Sequence, residues 1–443
     1  MGLIFFILDT IAFLLILLIS LVLRRLGDVN TAFYLANMAA FLPVFLITSF
    51  MLWVLDFYDT KNIRHGGIPY KYLLTAFLIS LALSVGFLYF IIPFFSLLSP
   101  KTILLIVFVL YAIYIALSRK YYHRIHFAEN NVIVFGKSKT IDAILEELHK
   151  SNAYNIIAYE ETIDKTKRYP TKDLDLVIVD HALFSRDPDA WPFIAKNFIS
   201  KGITLDTDFN VYENLLGRIS RESVDDGMWV MRGIGVQRKS RVYDLTKRFM
   251  DLFFACLLLP FALPLGLVLY CLIRFIDGYP PFFIQKRVGY LEKPIRLYKF
   301  RTIRPGGTTR HITKTGKILR RFRLDELPQL INVLNGDLSF VGPRAIWIKE
   351  HNLLAQHIAN HQIRTVVKPG ITGWAQLNFK APPTYHNLKR DNGQAAQIAE
   401  DFDAGFMRFS YDVWYIKNAS ALLDLAILIK TARRVFIKYK NEV

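Results

Sequence analysis

The stretch RRFRLDELPQLINVLNGD, residues 320–337, places two adjacent carboxylates where the chain is otherwise strongly basic. Thirteen Lys or Arg residues and a single acid precede the pair over residues 286–324. An aspartate among cations has its ionised form stabilised, so Asp325 could serve as a nucleophile or a metal ligand. The neighbouring Glu326 could move a proton or hold Mg²⁺ beside a diphosphate. The pattern therefore predicts a catalytic acid pair in a phosphate-handling site.

A simpler interpretation of the same pair is a helix start. Acids in a first helical turn complement the helix dipole without doing any chemistry. The surrounding cations are equally open to two interpretations. Guanidinium groups and amides at turns hold phosphates, whereas a basic face can also rest on anionic lipid. The residues by themselves leave these alternatives open.

Composition indicates a membrane protein. Of the 443 residues, 53% are hydrophobic, and the mean hydropathy is +0.28, which is too apolar for an ordinary soluble protein. The net charge of +18 suits anionic lipid, phosphate-bearing substrates or nucleic acid. No nucleic-acid-binding motif accompanies this charge, so we expect no nucleic-acid partner. Cys256 and Cys271 lie in one apolar run, and we expect neither a disulfide nor thiolate chemistry from them.

Four apolar segments open the chain and predict four transmembrane helices within residues 1–120. Each is near the ~20 residues needed to cross a bilayer. The segments are Leu3–Leu23, Ala32–Leu55, Tyr72–Leu98 and Thr102–Leu117. Six basic residues flank the second and fourth segments on one side and three lie in the opposite loops, which favours both termini in the cytoplasm. Asp9 lies inside the first segment, where a buried acid is a functional candidate; we expect it near the membrane end or paired with another helix.

Strands and helices alternate over residues 128–230 and predict a Rossmann-like parallel sheet. NVIVFG, YNIIAYE and LDLVIVD are typical of buried strands. The first turn, FGKSKT, holds Gly136 but lacks the second and third glycines of a dinucleotide-binding fingerprint. We therefore favour a structural or regulatory role for this domain over nucleotide binding.

A further apolar run, Leu252–Phe275, is interrupted by Pro260 and Pro264. Each proline deletes a backbone donor and clashes with the preceding turn. The run could be a kinked fifth span, which would put the rest of the protein outside. It could instead be a re-entrant helix that enters the cytoplasmic leaflet, breaks and leaves on the same side. Basic residues on both flanks, including Arg248 and Arg274, favour re-entry.

Six motifs in the C-terminal part of the chain resemble the bacterial sugar transferase family, the monotopic polyprenol-phosphate phosphoglycosyl transferases. In order they are TKRFMDLFFA, PPFFIQKRVG, YKFRTIR, LDELPQLINVLNGDLSFVGPR, KPGITGWAQ and YDVWYIKNASALLDL. With four apolar segments and an α/β domain in front, the chain is similar to the long, hexose-1-phosphate transferase branch. The resemblance implies a mainly α-helical catalytic domain over residues 245–443, with a re-entrant membrane helix at 248–275.

The resemblance also implies a reaction, in which a sugar 1-phosphate passes from a UDP-sugar to undecaprenyl phosphate with release of UMP. This would be the first membrane step of exopolysaccharide, capsule or O-antigen assembly. Asp325 would form a phosphosugar-aspartyl intermediate, and Glu326 would assist near Mg²⁺, with both acids as metal ligands. The implied location is the bacterial inner membrane, with the catalytic domain in the cytoplasm, among membrane lipids. A homodimer is left open, and glucose or galactose as the sugar is a guess by analogy.

Further site residues are implied by their motif positions. The residues implied to bind phosphates are Lys299, Arg301, Arg320 and Arg344. The residues implied to shape the nucleotide-sugar pocket are Gln376, Tyr411, Asp412 and Tyr415. The residues implied at the polar start and the break of the re-entrant helix are Lys247, Arg248, Asp251, Pro260 and Pro264.

The chain departs from the family pattern in three places. Ala345 follows VGPR where members often have proline, which we expect to loosen that turn. The stretch between FRTIR and TKTGK is short, so a loop near the donor site is trimmed. Leu-Pro replaces the usual Ser-Pro at the helix break, at residues 259–260 and again at 263–264, so the position of the break is open.

Two other classes of protein compete with a transferase. Tyr385 and Lys389 have the spacing of a short-chain dehydrogenase pair, and membrane-anchored sugar-nucleotide dehydratases also combine four spans with Rossmann domains. No glycine-rich strand–turn–helix precedes that pair, so we regard the spacing as chance. A non-enzymatic membrane scaffold for polysaccharide assembly is the third candidate.

Two remaining patterns have plain structural interpretations. His357 and His361 are four residues apart on a predicted helix, with His351 nearby, but zinc would need a third ligand on that face. We therefore favour a solvated helix face. The tail LLDLAILIKTARRVFIKYK suits an interfacial helix on anionic lipid, and the alternative is a helix packed on the catalytic core.

Overall fold

Helices dominate the protein, accompanied by one small parallel sheet and two pairs of strands. The computed structural model describes residues 2–25, 31–54, 57–58, 70–91, 100–126, 130–151, 153–225, 241–304, 312–379 and 395–437. The chain divides into two compact units, residues 1–206 and 207–443. The predicted division into 1–120, 128–230 and 245–443 stays a prediction.

Four apolar helices begin the first unit. They are α1 (Gly2–Arg25), α2 (Thr31–Val54), α3 (Tyr70–Ile91) and α4 (Pro100–His126). Buried side chains from all four, such as Leu17 and Val107, form one hydrophobic cluster. Their outward faces are apolar as well, with Leu74 and Leu117 well exposed, and a helix that is hydrophobic all round requires lipid or protein on every side. By length and composition α1 and α4 could each cross a membrane, and α2 and α3 contain shorter apolar stretches.

Asp9 forms a buried ion pair with Arg119. The Asp9 carboxylate accepts two hydrogen bonds from Arg119, at 3.0 and 2.6 Å, and both side chains are 0% exposed. Arg119 also donates to the carbonyl of Phe57 and lies 4.1 Å from the ring centroid of Phe5. The expected pairing of Asp9 with a neighbouring helix is therefore confirmed. Arg119, which the charge count treated as a loop residue, lies inside α4 and contributes no free charge there.

A four-stranded sheet follows the apolar helices. Its strands are β1 (Asn130–Phe135), β2 (Tyr154–Glu160), β3 (Leu176–Val179) and β4 (Thr204–Thr207), in the order β2-β1-β3-β4. The helices along this stretch are α5 (Lys139–Lys150), α6 (Leu183–Arg186) and α7 (Ala190–Asn197). Strand β1 pairs in parallel with both β2 and β3. Ile133 and Val177, from adjacent strands, are fully buried in the hydrophobic cluster of this region.

Gly136, at the end of β1, accommodates a neighbouring acid. Its φ of +112° is a conformation that only glycine adopts readily. A Cβ at this position would lie 2.1 Å from Cβ of Asp180, so the missing side chain leaves room for Asp180. The structural role of the FGKSKT turn stays a prediction.

The second unit is built mainly from helices around two small strand pairs. Its helices are α8 (Asp208–Leu216), α9 (Arg221–Asp225), α10 (Arg241–Leu272), α11 (Lys314–Arg321), α12 (Gln329–Asn335), α13 (Ile348–His357), α14 (Trp374–Asn378), α15 (Ala395–Asn418) and α16 (Ala421–Ile437). Its strands are β5 (Phe282–Val288), β6 (Pro294–Phe300), β7 (Ser339–Val341) and β8 (Gly370–Thr372). Strands β5 and β6 form an antiparallel hairpin, and β7 pairs in parallel with β8.

Helix α8 packs against α14 and α15 through two tryptophans. The indole N–H of Trp374 donates to the carbonyl of Gly217 at 2.7 Å, and that of Trp414 donates to the carbonyl of Glu213 at 3.1 Å. The two rings stack with their centroids 4.6 Å apart. The carbonyl of Glu213 also accepts the backbone N–H of Gly217 at 3.0 Å, so Trp414 adds a second hydrogen bond there, whereas Trp374 bonds a carbonyl just past the end of the helix.

Helix α10 is continuous through both prolines. It runs from Arg241 to Leu272, and a π-helical turn continues to Asp277. The predicted break does not divide it into two helices. Pro260 and Pro264 are four residues apart, so their missing hydrogen bonds lie on one helix face, which weakens that side without ending the helix. The segment from Val242 to Asp277 is long and apolar enough to cross a membrane.

The C-terminal helix α16 packs on the core of the second unit. Ile427 is fully buried in a cluster with Val341, Tyr415 and Ile416. Arg434 donates to the carbonyls of Gln376 and Leu377. The packed-helix interpretation of the tail is therefore the one that describes α16.

Candidate functional site

The two acids lie in a tight turn between α11 and α12. Leu324–Glu326 forms a single 3₁₀ turn, preceded by Arg323 in the left-handed region at φ +58°. A non-glycine residue in this region carries strain, and such strain concentrates at functional sites. Helix α12 starts after Pro328, with no side-chain cap and no acid in its first turn. Neither carboxylate caps α12, but both lie in the first turn of the 3₁₀ helix, so a helix start and a catalytic role both stay compatible with this position.

Glu326 is held by three cations. Its carboxylate lies 3.0 Å from Lys299 Nζ, 3.5 Å from Arg344 Nη2 and 3.9 Å from Arg323 Nη1. Burial of the side chain, which is 12% exposed, acts to raise its pKa. The charges of Arg344, Lys299 and Arg323 outweigh burial and lower the pKa of Glu326 to about 2. Glu326 is thus ionised at any physiological pH.

Asp325 has the opposite electrostatic environment. Burial raises its pKa, and the negative charge of Glu326 adds to the rise, while Lys299 and Arg320 act against it. No cation lies within 4.0 Å of its carboxylate in the described part of the chain. The cations Lys299 and Arg320 thus stabilise ionised Asp325 as expected, but burial and the charge of Glu326 outweigh them. Asp325 is left as a more basic carboxylate with no ion-pair partner among the described residues.

The four predicted phosphate-binding residues separate into two groups. Lys299 and Arg344 contact Glu326 and so lie at the acid pair. Arg320 donates to Thr302 Oγ1 at 2.9 Å, and its charge still reaches Asp325. Arg301 donates to the carbonyls of Pro280 and Phe282 and braces the β5–β6 hairpin. Phosphate binding by these residues stays a prediction.

The residues predicted to shape the sugar pocket are mostly engaged inside the protein. Asp412 is buried and pairs with Arg364 at 2.6 Å. Tyr415 is buried and donates to Asp424 at 2.7 Å. The role predicted for these side chains at a substrate pocket stays a prediction, and their contacts are those of a packed core.

Gln376 and Tyr411 lie among other partners. The backbone carbonyl of Gln376 accepts from Arg434 at 2.8 Å. The ring of Tyr411 lies 5.9 Å from the guanidinium of Arg218. Neither contact reaches the acid pair, and the predicted pocket role of both residues is untested.

Arg364 connects Asp412 to the acid pair, and sequence analysis missed it. Its guanidinium donates to Asp412 and, at 3.0 Å, to the backbone carbonyl of Arg344. The side chain of Arg344 in turn contacts Glu326. The segment HQIRT carries no local signal for this role, because Arg364 and Asp412 are distant in sequence. We therefore expect Arg364 to position Arg344.

The predicted polar start of the membrane helix attaches α10 to the rest of the second unit. Lys247 pairs with Asp424 at 2.7 Å. Arg248 donates to the carbonyls of Val333 and Leu334, both at 2.7 Å, at the C-terminal end of α12. Asp251 accepts from Ser339 Oγ and from the amide of Phe340, both at 2.9 Å. These contacts place α10 directly behind the helix that follows the acid pair.

The histidines do not form one solvated helix face. His357 is exposed at the end of α13, but His351 and His361 are buried. His361 does not belong to α13 but to a separate 3₁₀ turn, His361–Thr365. The rings of His351 and His361 lie 4.9 Å apart. Burial and the neighbouring Arg364 lower the pKa of His361 to about 2, so it is neutral. The solvated-face prediction is correct for His357 alone.

Two smaller predictions stay untested. Ala345 is buried in a cluster with Ala255, Leu297, Val333 and Leu338, and its carbonyl accepts from Arg287. The turn after VGPR is therefore packed, and its loosening relative to a turn with proline stays a prediction. Tyr385 and Lys389, the dehydrogenase-like pair, lie outside the described residues.

Comparison with known proteins identifies the family. The bacterial sugar transferase family matches residues 242–438. An uncharacterized sugar transferase of Bacillus subtilis, EpsL, is 37% identical over 201 residues, which are 44% of this chain and 88% of that protein. The chain therefore belongs to the bacterial sugar transferase family.

Two further relatives carry names that state an activity. The UDP-N-acetylgalactosamine-undecaprenyl-phosphate N-acetylgalactosaminephosphotransferase of Aeromonas hydrophila is 32% identical over 51% of this chain and 50% of its own length. The UDP-glucose:undecaprenyl-phosphate glucose-1-phosphate transferase of Escherichia coli K12 is 33% identical over 45% of this chain and 42% of its own length. The matched region thus spans about half the length of these two proteins or less.

Proposed function

We propose that the protein transfers a sugar 1-phosphate from a UDP-sugar to undecaprenyl phosphate, with release of UMP. The observation that carries this proposal is the division of charge at the acid pair. Asp325 has no ion-pair partner among the described residues, whereas the adjacent Glu326 binds three cations. A basic, accessible carboxylate beside fixed cations is what nucleophilic attack on a phosphoryl group requires. The names of the relatives supply the substrate classes.

In the proposed first step, a carboxylate oxygen of Asp325 attacks the β-phosphorus of the UDP-sugar. The bond from that phosphorus to the bridging oxygen breaks, UMP leaves, and a phosphosugar-aspartyl ester remains. In the second step a phosphate oxygen of undecaprenyl phosphate attacks the same phosphorus and restores the carboxylate. Lys299 and Arg344 are the cations closest to the pair, and we assign them to stabilise charge on the phosphoryl oxygens.

A divalent metal fits the donor set of the pair. Enzymes of this family use a divalent metal. Glu326 is ionised, and its Oε2 makes no hydrogen bond among the described residues, with Arg323 as its nearest cation there at 3.9 Å. Mg²⁺ commonly binds through one or two carboxylates while keeping waters and substrate phosphates as its other ligands. We therefore assign Glu326 and Asp325 to hold Mg²⁺, which would neutralise charge on the diphosphate.

We further propose that α10 is a re-entrant membrane helix and that the catalytic unit is cytoplasmic. Ala255, before the prolines, packs with Leu297, whereas Ile273, after them, packs with Phe300 on the same strand β6. The apolar stretch between these contacts is exposed, with Phe261 at 72%. Both ends of the helix thus return to one unit, which supports entry and exit on one side of the bilayer.

The remaining parts of the proposal concern the first unit. We propose that α1 to α4 are a four-helix transmembrane bundle in the bacterial inner membrane and that residues 128–230 form a Rossmann-like domain. The shared hydrophobic cluster of the four helices and the parallel pairing of β1 with β2 and β3 support this organisation. Exopolysaccharide, capsule or O-antigen assembly would use the product.

A direct assay tests the reaction. Membranes containing the full chain would receive undecaprenyl phosphate, Mg²⁺ and one of UDP-glucose, UDP-galactose or UDP-N-acetylgalactosamine, and UMP release would be measured. Asp325→Asn should abolish release, and donor labelled with ³²P at the β-phosphate should label the wild-type protein but not this variant. Asp403→Asn, the same change at an exposed residue of the same unit, should leave both signals intact.

The rival classes predict different results in the same assay. UMP release by Asp325→Asn at the wild-type rate would refute the nucleophile assignment. No release with any donor would favour a scaffold, and NAD-dependent conversion of the free UDP-sugar would favour a dehydratase. For topology, single cysteines placed after residue 280 in a variant lacking Cys256 and Cys271 should be labelled only from the cytoplasmic side.

A further inference from the structure

Arg287 is a partly buried guanidinium near the end of β5. Its Nε and Nη2 both donate to Gln285 Oε1, at 3.0 and 2.7 Å, and its Nη1 donates to the carbonyl of Ala345 at 3.3 Å. The guanidinium carbon lies 5.2 Å from the ring centroid of Trp347. Gln285 and Arg287 share one face of the strand because side chains alternate along it. The guanidinium is thus held in a fixed place and orientation.

No carboxylate neutralises Arg287 among the described residues. Among the acids, Glu350 and Glu326 are those whose charges act most on it. Glu350 pairs with Arg408 at 3.2 Å, and Glu326 binds Lys299, Arg323 and Arg344. Burial lowers the pKa of Arg287 to about 10, and the positive charge of Arg344 contributes to the fall. A buried cation without a counter-ion destabilises the folded protein. Stability therefore does not explain why an arginine occupies position 287.

The unused donors of Arg287 suit an anion. A guanidinium has five N–H donors in a planar fork. The contacts above engage one donor on each of the three nitrogens. One N–H on each terminal nitrogen is therefore left to donate to an anion such as a phosphate.

The neighbourhood of the acid pair carries excess positive charge. Lys299, Arg323 and Arg344 bind Glu326, and Arg287 lies within electrostatic reach of both Arg344 and Glu326. Even with both acids of the pair ionised, these four cations exceed them by two. A phosphate-bearing ligand would balance the excess.

We propose that Arg287 binds a phosphoryl group of a phosphate-bearing substrate beside Arg344. This inference rests on the proposed function for the identity of that substrate. The phosphoryl group comes either from the nucleoside diphosphate of the donor or from the monoester phosphate of the lipid acceptor. Both present the same oxygens to a guanidinium, and kinetics distinguish them.

The kinetic test compares two arginine variants with a matched control. Arg287→Gln removes the charge, and Arg287→Lys keeps the charge without the planar fork. Lys286→Gln removes a charge from the adjacent, exposed side chain on the other face of β5. KM for the UDP-sugar and KM for undecaprenyl phosphate would be measured by UMP release, together with the melting midpoint of each variant.

We expect Arg287→Gln to raise one of the two KM values by about 10- to 100-fold, the loss typical of hydrogen bonds to a charged group. The substrate whose KM rises is the one that Arg287 binds. Arg287→Lys should show a smaller rise in the same KM, and Lys286→Gln should stay within about 2-fold. If Arg287→Gln is unstable, Arg287→Lys carries the test.

Two results would overturn the inference. The first is a lower kcat with both KM values unchanged, which a residue that only braces the turn at Ala345 would produce. The second is an equal effect of Lys286→Gln, which would indicate a general charge effect.

Binding without turnover separates this inference from the proposed function. UDP, inorganic pyrophosphate and undecaprenyl phosphate in detergent micelles would be titrated onto the full chain and onto Arg287→Gln. Weaker binding of one probe by the variant, with no UMP release by either protein, would refute the transferase and support the anion site. Normal release with unchanged binding of all three probes would refute the anion site alone.

Discussion

Two pairs of charged residues, one in each unit, differ in how completely they are neutralised. Asp9 and Arg119 form a closed pair among apolar helices, in which each carboxylate oxygen takes one N–H of a single guanidinium. Asp325 and Glu326 form an open cluster, in which one acid takes three cations and the other takes none within 4.0 Å among the described residues. A closed pair has no charge left to offer a ligand. The open cluster keeps a basic carboxylate and surplus cations, which is the state that chemistry needs.

Burial alone does not make an acid a functional site. Asp9 is a functional candidate by its sequence position, because charges inside membrane segments are costly. The structure gives Asp9 a complete partner, and this satisfies its charge without a ligand. Asp325 is less buried than Asp9, but it lacks such a partner. The unmatched charge, rather than the burial, distinguishes the candidate site.

The largest expected effect comes from changing the balance of the open cluster. Burial and the charge of Glu326 raise the pKa of Asp325; Glu326→Gln removes the second of these and frees Lys299 and Arg344 to approach Asp325. We expect kcat to fall by about 10²- to 10³-fold, because oriented cations and a metal ligand are lost together. Since Asp325 must be ionised to attack, the acid limb of the pH profile of kcat/KM should move to lower pH.

A matched control keeps this prediction specific. Glu292→Gln changes an acid that pairs with His351 in the same unit and should alter kcat by no more than about 2-fold. An acid limb that stays in place, or moves to higher pH, in Glu326→Gln would contradict the assigned coupling between the two acids.

The second effect tests the closed pair. Asp9→Asn leaves the guanidinium of Arg119 buried without a counter-charge and should lower the free energy of unfolding by about 3–5 kcal/mol. The double change Asp9→Leu with Arg119→Met should cost less than either single change, because no charge stays buried. Unfolding of the full chain in detergent would be followed with increasing denaturant.

Activity decides whether the closed pair is only structural. UMP release per folded molecule should be unchanged in Asp9→Asn, and its loss would show that Asp9 acts in the reaction. As a control for the unfolding measurement, Glu146→Gln changes an exposed ion pair with Lys150 and should give no measurable change in the denaturant concentration at the unfolding midpoint.

Arg364 and Asp412 form a closed pair next to the open cluster, and breaking this pair should lower both stability and kcat by intermediate amounts. Asp412→Asn removes the partner of buried Arg364, which also holds the backbone carbonyl of Arg344. We expect a loss of about 3 kcal/mol in stability and a roughly 10-fold fall in kcat, since Arg344 would be less well positioned. Equal stability loss without any change in kcat would show that Arg364 does not act through Arg344.

The smallest expected effect comes from a neutral contact. Trp414→Phe keeps the stacked ring but removes the donor to the carbonyl of Glu213. A neutral hydrogen bond contributes about 1 kcal/mol, so the melting midpoint should fall by about 2–4 °C with little change in UMP release. Trp191→Phe, at a half-exposed position, should melt like the wild type. If the melting midpoint fell further in Trp414→Phe than in Asp9→Asn, the buried ion pair would not contribute more to stability than the neutral hydrogen bond, which would contradict this prediction.

The sequence by itself determined the local elements and the family. Apolar runs of about 20 residues can only be membrane or core helices, and the four N-terminal helices appear where these runs lie. Short β-branched runs predicted the strands of the parallel sheet. The ordered motifs from TKRFMDLFFA to YDVWYIKNASALLDL identified the sugar transferase region, and LDELPQ located the acid pair, because motif and periodicity are properties of neighbouring residues.

Only the tertiary structure decided which charges are matched. Arg364 and Asp412, Asp9 and Arg119, and Lys299 and Glu326 are far apart in sequence, and no local pattern predicts which cation reaches which acid. The same long-range packing buried His351 and Ala345 and engaged Tyr415 in the core. Because a pKa depends on burial and on charges a few ångströms away, the sequence could name Asp325 and Glu326 but could not tell which of the two stays basic and unpaired.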